Sequence, residues 1–306
     1  MILNENLLGL LNNLYDRTNR VPYKFDGSEF SNTFRTYKII ENIPRFVFTD
    51  EYVKSFSLQW NTFTTVQLDS KTNYKSSHDS FYRKTGIPIE DFKNKLVLDV
   101  GVGAGRYADL VTGWGANLVG IDLSQSVDAA QKNLRDRNNF LPIQADINDL
   151  PFEDNTFDII YSIGVLHHTP NTKEYFSKLV PLLKPGGTIA IWVYPTEASY
   201  VQRKKWIPIV NKIPYSSYYE WCKWFVPKME SYRGSNFFEY VKSVFPFSDQ
   251  PYGTQLNILD TFDGFSPKFH HIHSPEEVYG WFAEAGLTDI YEPGWITSMN
   301  GKKSHF

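Results

Sequence analysis

Three glycines, Gly101, Gly103 and Gly105, follow the strand-like run LVLDV at 96–100. Glycines this dense cost backbone entropy, and close approach of a ligand to bare backbone is a reason to keep them. Strand, glycine loop and helix in succession place a nucleotide-type ligand at the carboxyl edge of a parallel sheet. A dinucleotide site wants its third glycine at 106, where helix N–H groups receive a pyrophosphate. Residue 106 is arginine and the glycine stands at 105, which suits a ligand without pyrophosphate whose bulk presses on the loop. Asp122 follows Gly101 by about 20 residues, the distance at which an acid can take ribose hydroxyls. Asp146 ends the third apolar run. A carboxylate there can accept from the exocyclic amine of an adenine, with Leu123 and Ile147 offering apolar contact to the ring.

A second set of residues could move protons. GVLHHTP places His167 and His168 just beyond the fourth run, and histidine is the side chain best suited to act as a base near neutral pH. One of the pair reaching an acceptor while the other packs is one reading; a structural contact for both is the other. DTFDGFSPKFHHIHS carries Asp260, Asp263, His270, His271 and His273. These can contact a polar substrate or sit on a solvated loop, and no ligand set for a metal is complete on spacing alone. Tyr194, ending the fifth run, also reaches the ligand edge.

The elements that must position these groups are legible from residue 96 onward. Short apolar runs at 96–100, 117–122, 140–145, 157–163 and 188–194 alternate with helical patterns, which predicts a parallel sheet with crossover helices. Ser124 is placed to cap one helix. Ser274, Pro275 and Glu277 open another that Gly286 closes, and KPGG at 184–187 turns the chain into the fifth strand. Residues 196–272 break the alternation with an aromatic-rich insert too apolar for a linker. It reads as a substrate-side lid or as a core of its own. Residues 1–95 form an N-terminal extension with an initial helix, a hairpin near TYKIIENIPRFVF and a helix within 50–63. The main domain spans 96–306. The fold class is α/β, a Rossmann-like, doubly wound, mostly parallel seven-stranded sheet.

Composition narrows the function classes. Lys and Arg number 31 against 34 Asp and Glu, and no basic arm marks a nucleic-acid binder. One cysteine, Cys222, excludes an intramolecular disulfide and a cysteine zinc cage. No stretch is long and apolar enough to span a bilayer, and the first residues lack the pattern of a signal peptide. The expectation is a cytoplasmic protein with a small-molecule partner, and with neither nucleic acid nor membrane as partner.

VLDVGVGAGR, VGIDLS, ADINDLPFEDNTFDIIYSIGVLHHT and LLKPGGTIAIWVY recur here in order over about 96–194. In this the chain resembles the class I S-adenosylmethionine-dependent methyltransferases, nearest the bacterial small-molecule, ubiquinone-biosynthesis type. IPRFVFTDEYVKSFSLQWNTF and the 259–287 segment look like a subgroup associated with sugar or secondary-metabolite pathways. The cysteines of a zinc bead found in some relatives are missing, so zinc is not carried over. The resemblance implies S-adenosylmethionine as cofactor and S-adenosylhomocysteine as product. Asp99, Gly101, Gly103 and Gly105 would shape the methionine end, Asp122 would bind ribose, and Asp146 and Ile147 adenine. Ser162 and Ile163 would lie under the sulfonium, and Gln59 and Trp60 would close over the cofactor. The reaction expected is methyl transfer to a small polar metabolite, foremost onto oxygen. Nitrogen or carbon as acceptor, a nicotinamide-dependent oxidoreductase and a non-catalytic cofactor-binding protein are the alternatives.

Overall fold

The computed structural model describes residues 3–47, 68, 70, 76–251 and 253–305. Helix α1 (Glu5–Leu11) is capped by Asn4, whose side chain accepts from the Leu7 N–H. Short strands follow: β1 (Tyr15–Asp16), β2 (Val21–Pro22), β3 (Lys24–Phe25), β4 (Glu29–Ser31), β5 (Thr36–Ile40) and β6 (Ile43–Phe46). Strands β5 and β6 are the expected hairpin. The helix expected within 50–63 lies outside the described residues. Helix α2 (Ser76–Thr85) then leads into the main domain.

The five apolar runs become strands β7 (Leu96–Val100), β8 (Asn117–Asp122), β9 (Phe140–Ala145), β10 (Phe157–Ile163) and β11 (Leu183–Trp192). All are mutually parallel. Every residue of β9, and all but the last of β8, is buried. That is the pattern of strands covered on both faces by crossover helices. Alternation divides the core in two: Leu98, Val100 and Ile160 join one apolar cluster, Val97, Ile159 and Tyr161 the other. The crossovers are α3 (Arg106–Gly113), α4 (Ser126–Asn133) and α5 (Thr172–Leu179).

Ser124 serves the start of α4 as expected: its hydroxyl accepts from the Ser126 N–H at 3.2 Å while donating to Asp122 at 2.7 Å. One local expectation changes. Strand β11 starts at Leu183, so KPGG is inside the strand, with a register irregularity between Phe157 and Ile159 on its partner.

After β11 come four helices, α6 (Ala198–Val210), α7 (Tyr215–Glu230), α8 (Asn236–Val244) and α9 (Thr254–Asp263). Their apolar side chains form a third cluster that includes Tyr218, Cys222, Phe225, Phe262 and Phe265. Much of the insert's aromatic content therefore serves its own core. Helix α10 (Pro275–Glu284) is capped by Ser274, which accepts from the Glu277 N–H. The chain closes with β12 (Leu287–Tyr291) and β13 (Ser298–Lys303).

The sheet order is β12-β13-β11-β10-β7-β8-β9-β6-β5-β4-β3. Its first seven members are the expected seven-stranded, mostly parallel sheet. The extension adds to it: β6 pairs parallel with β9 through Arg45–Gln144 and Phe46–Ala145 and covers an edge that would otherwise be open.

Candidate active site

Loops from the carboxyl ends of β7, β8, β9 and β10 converge on a cleft of about 780 Å3, solvent-open space included. It lies at the switch point where the chain, having run from β7 outward to β9, crosses back to β10. Gly101, Asp122, Leu123, Asp146, Ile147 and Ile163 line it, together with His168 and Asp263.

Gly101 has φ +83°, and a Cβ there would stand 2.2 and 2.7 Å from the two γ-methyls of Val165. The bare turn after β7 is therefore pressed against the loop after β10. Its amides are held by backbone: Gly101 and Val102 both donate to the Ile121 carbonyl, at 2.8 and 2.9 Å. The Gly103 N–H donates to Asp122 Oδ2 at 3.1 Å, while Asp122 Oδ1 accepts from the Ser124 N–H and hydroxyl. A carboxylate offers about four acceptor positions, so Oδ2 retains capacity for a ligand hydroxyl. Burial raises the Asp122 pKa and these donors hold it back. Gly105 caps α3 in the left-handed region, with Leu134 3.2 Å from where a Cβ would sit.

Asp146 begins a short helical turn, accepting from the Asn148 N–H at 2.8 Å. Burial raises its pKa. Beside it, Tyr175 of α5 reaches the cleft, its hydroxyl bonded to the Asn148 amide. Sequence reasoning missed Tyr175, Thr169 and Val165. Tyr175 reads as one more apolar position on a helix, and only its proximity to Asn148 marks it.

Asp99 and Ser162 do not line the cleft. Asp99 shares a face of β7 with Val97 and lies in register with Tyr161 on β10, whose hydroxyl donates to it at 2.8 Å. Burial pushes its carboxyl up to about 8, aided by the nearby Asp122 charge and opposed by the Tyr161 bond. Ser162 is fully buried and donates to the Val100 carbonyl at 3.1 Å. Gln59 and Trp60 lie outside the described residues.

His167 and His168 occupy one short turn, their ring centroids 4.1 Å apart, and both are buried. His168 Nδ1 is 2.8 Å from the Phe269 carbonyl. A carbonyl only accepts, so Nδ1 carries the proton and Nε2 is the basic nitrogen. Burial lowers the His168 pKa to about 4, despite that hydrogen bond. His167 instead stacks on Tyr194 at 3.6 Å, and its Nδ1 accepts from the Tyr194 N–H. Burial holds it well below the usual histidine range. His270 lies 5.0 Å from the Tyr194 ring and is pushed down to about 3, again by burial first. The His271 N–H donates to the His167 carbonyl. The structure thus gathers His167, Tyr194, His270 and His271 around His168, off the cleft wall. Asp260 is also off the wall, its carboxyl raised by burial and pulled back by Arg106, Arg203 and Lys84. Among the described residues no group of three or more His, Cys, Asp or Glu could hold a metal ion.

Residues 98–191, from β7 through β11, match the family model described as a methyltransferase domain. These residues form a class I, S-adenosylmethionine-dependent methyltransferase domain. S-Adenosylmethionine is the methyl donor of such a domain, and the cleft residues suit it. An acid with spare acceptor capacity stands at the end of β8, a second acid at the end of β9, and Leu123, Ile147 and Ile163 give apolar contact between them. The methyltransferase domain is similar to parts of curated proteins. One is the sterol 24-C-methyltransferase erg6 of Schizosaccharomyces pombe, 30% identical over 54% of this chain and 44% of that protein. Another is phosphoethanolamine N-methyltransferase 2 of Caenorhabditis elegans, 36% identical over 34% of this chain and 25% of that protein.

 The chain therefore spans under half the length of the curated relatives it matches. Among solved structures, an S-adenosylmethionine-dependent methyltransferase from Aquifex aeolicus is 15% identical. It aligns over 84% of this chain and 98% of that one, with a TM-score of 0.43.

Proposed function

We propose that this protein transfers the methyl group of S-adenosylmethionine to a hydroxyl oxygen of a small polar acceptor, of the sugar or secondary-metabolite kind, with His168 receiving the displaced proton. When bound, the cofactor supplies an electrophilic methyl on a sulfonium, so the chain's own task is to align the acceptor and exclude water. Asp122 would hold the ribose, Asp146 with Ile147 and Leu123 the adenine, and Gly101 would let the cofactor lie close to backbone. Gly103 acts through Asp122, which it holds in place.

The observation that favours oxygen over an amine nitrogen is the buried His168 on the cleft wall, its Nδ1 tied to a backbone carbonyl. With Nδ1 tied to the Phe269 carbonyl and a pKa of about 4, its Nε2 is unprotonated at neutral pH. A base this weak cannot take the proton of an alkylammonium product. It can take the proton of an oxygen undergoing methylation, because a protonated ether is a far stronger acid than imidazolium. The two relatives named above act on carbon and on nitrogen by their names, and neither acceptor is carried over.

Calorimetric titration with S-adenosylmethionine, S-adenosylhomocysteine and NAD, followed by incubation with methyl-labelled donor and a panel of polyols, sugars and phenols, tests the proposal. Binding of the first two compounds but not NAD, with label appearing as an O-methyl ether, is expected. Label found only on nitrogen or carbon overturns the oxygen assignment, and absence of donor binding overturns the whole reading.

A further inference from the structure

Half of the large exposed hydrophobic residues among those described, nine of eighteen, fall within 196–272, a quarter of the chain. They are not scattered. Helices α6, α7 and α8 border an apolar groove of about 1110 Å3, solvent-open space included, whose walls include Trp206, Ile209, Ile213, Trp221, Tyr240 and Phe245. On its rim Ile209 is 54% and Tyr240 68% exposed, and Trp224, one helical turn from Trp221, is 64% exposed.

The charge around this groove is one-sided. Lys205 lies four residues before Ile209 on α6 and Lys228 four after Trp224 on α7, so each shares a helix face with an apolar rim residue; Lys212 lies in the turn just past the end of α6, next to the groove-lining Ile213. None of the three has an acid within ion-pair distance among the described residues, whereas Glu220 is neutralised by Lys223 at 2.6 Å. Glu239 is the remaining exposed acid on α8. Over 196–272 there are nine Lys and Arg against seven Asp and Glu, in a chain that is acidic as a whole. Two of those acids, Asp260 and Asp263, belong to the active-site side.

We propose that this face of the insert docks on an anionic lipid bilayer, with Trp221, Trp224 and Tyr240 at headgroup depth, an acyl chain in the groove, and Lys205, Lys212 and Lys228 on the lipid phosphates. Indole and phenol rings favour that interface because one end is apolar and the other wet. Unpaired lysines decide against the other occupants: protein interfaces are depleted in lysine, and a second copy would bring like charges together. Peripheral docking needs no spanning helix, and among the described residues none is long and apolar enough to cross a membrane. It departs from the expectation that no membrane is a partner, and it stands whether or not the methyl acceptor is a hydroxyl.

Co-sedimentation of the full chain with phosphatidylcholine vesicles, with and without 30% phosphatidylglycerol, is the test. Binding to the anionic vesicles, weakened by salt, is expected. Lys205→Glu with Lys228→Glu should lower partitioning at least about tenfold, at roughly fivefold per lysine, and Trp224→Ala should lower it further. Cofactor affinity should be unchanged in all three, since none touches the cleft. Failure of the folded, cofactor-binding protein to sediment with anionic vesicles overturns the proposal. So does equal binding to neutral vesicles, insensitivity to these substitutions, or a dimer in analytical ultracentrifugation that Trp224→Ala dissolves.

Discussion

Replacing Gly101 by alanine perturbs the cleft through a contact that can be worked out atom by atom. The residue sits at φ +83°, where a side chain costs about 1–2 kcal/mol. The new Cβ would also lie 2.2 and 2.7 Å from the two γ-methyls of Val165 and 3.0 Å from its Cβ. Rotating Val165 exchanges one methyl for the other and cannot clear both, so an overpacking cost of about 1–3 kcal/mol is added. The total is about 2–5 kcal/mol. Part appears as lost stability in urea unfolding. The rest appears as displacement of the turn, which cofactor binding must reverse, so affinity for S-adenosylmethionine should fall at least about tenfold, or 1.4 kcal/mol. Val165→Ala in the Gly101→Ala background removes both γ-methyls and should restore the overpacking part while leaving the backbone strain. A coupling of at least about 1 kcal/mol between the two sites is expected from the double-mutant cycle. Additive effects, or a Gly101→Ala protein that binds cofactor as tightly as the parent, would refute the packing of these two loops on each other.

Asp122→Ala should weaken S-adenosylmethionine binding about tenfold or more, through loss of a charged hydrogen bond; unchanged affinity by calorimetry would remove the ribose role. His168→Ala should lower kcat while leaving cofactor affinity within about twofold, and parental turnover would discard it as the base. In the parent protein kcat should stay flat as pH falls through 6.5 and drop only near pH 4, because the lowered pKa keeps His168 neutral. A midpoint near 6.5 would contradict its burial. Asp99, raised to about 8, keeps its proton in the folded state across a range where the unfolded chain has lost it. Folding therefore weakens as pH rises from about 4 to 8. Asp99→Asn should remove that slope, gaining about 1.4 kcal/mol over the parent per pH unit between 5 and 7, and parallel stability curves in urea would show that Asp99 is ionised.

The parallel strands were legible because each is a short apolar run bounded by turn residues and followed by a helical pattern. Strands β7 to β10 begin and end where LVLDV, NLVGID, FLPIQA and FDIIYSI do. The extension was less legible. Its strands run from two to five residues, too short for a period, and β6 is held by pairing with β9, a partner about a hundred residues away. The site divides the same way. Asp122 and Asp146 stand at strand ends and their direction follows from the strands. Asp99 looked like a cleft residue, yet alternation along β7 turns it toward Tyr161, a neighbour from another strand.

From the chain alone came the sheet, its carboxyl edge and the glycine turn with two acids beside it, because each depends on residues close together in sequence. Tertiary structure alone decided that Val165 closes on Gly101, that His168 faces the cleft while His167 stacks on Tyr194, and that burial lowers the pKa of both histidines. Those outcomes depend on dielectric surroundings and on contacts between segments far apart in the chain, and no local pattern encodes either.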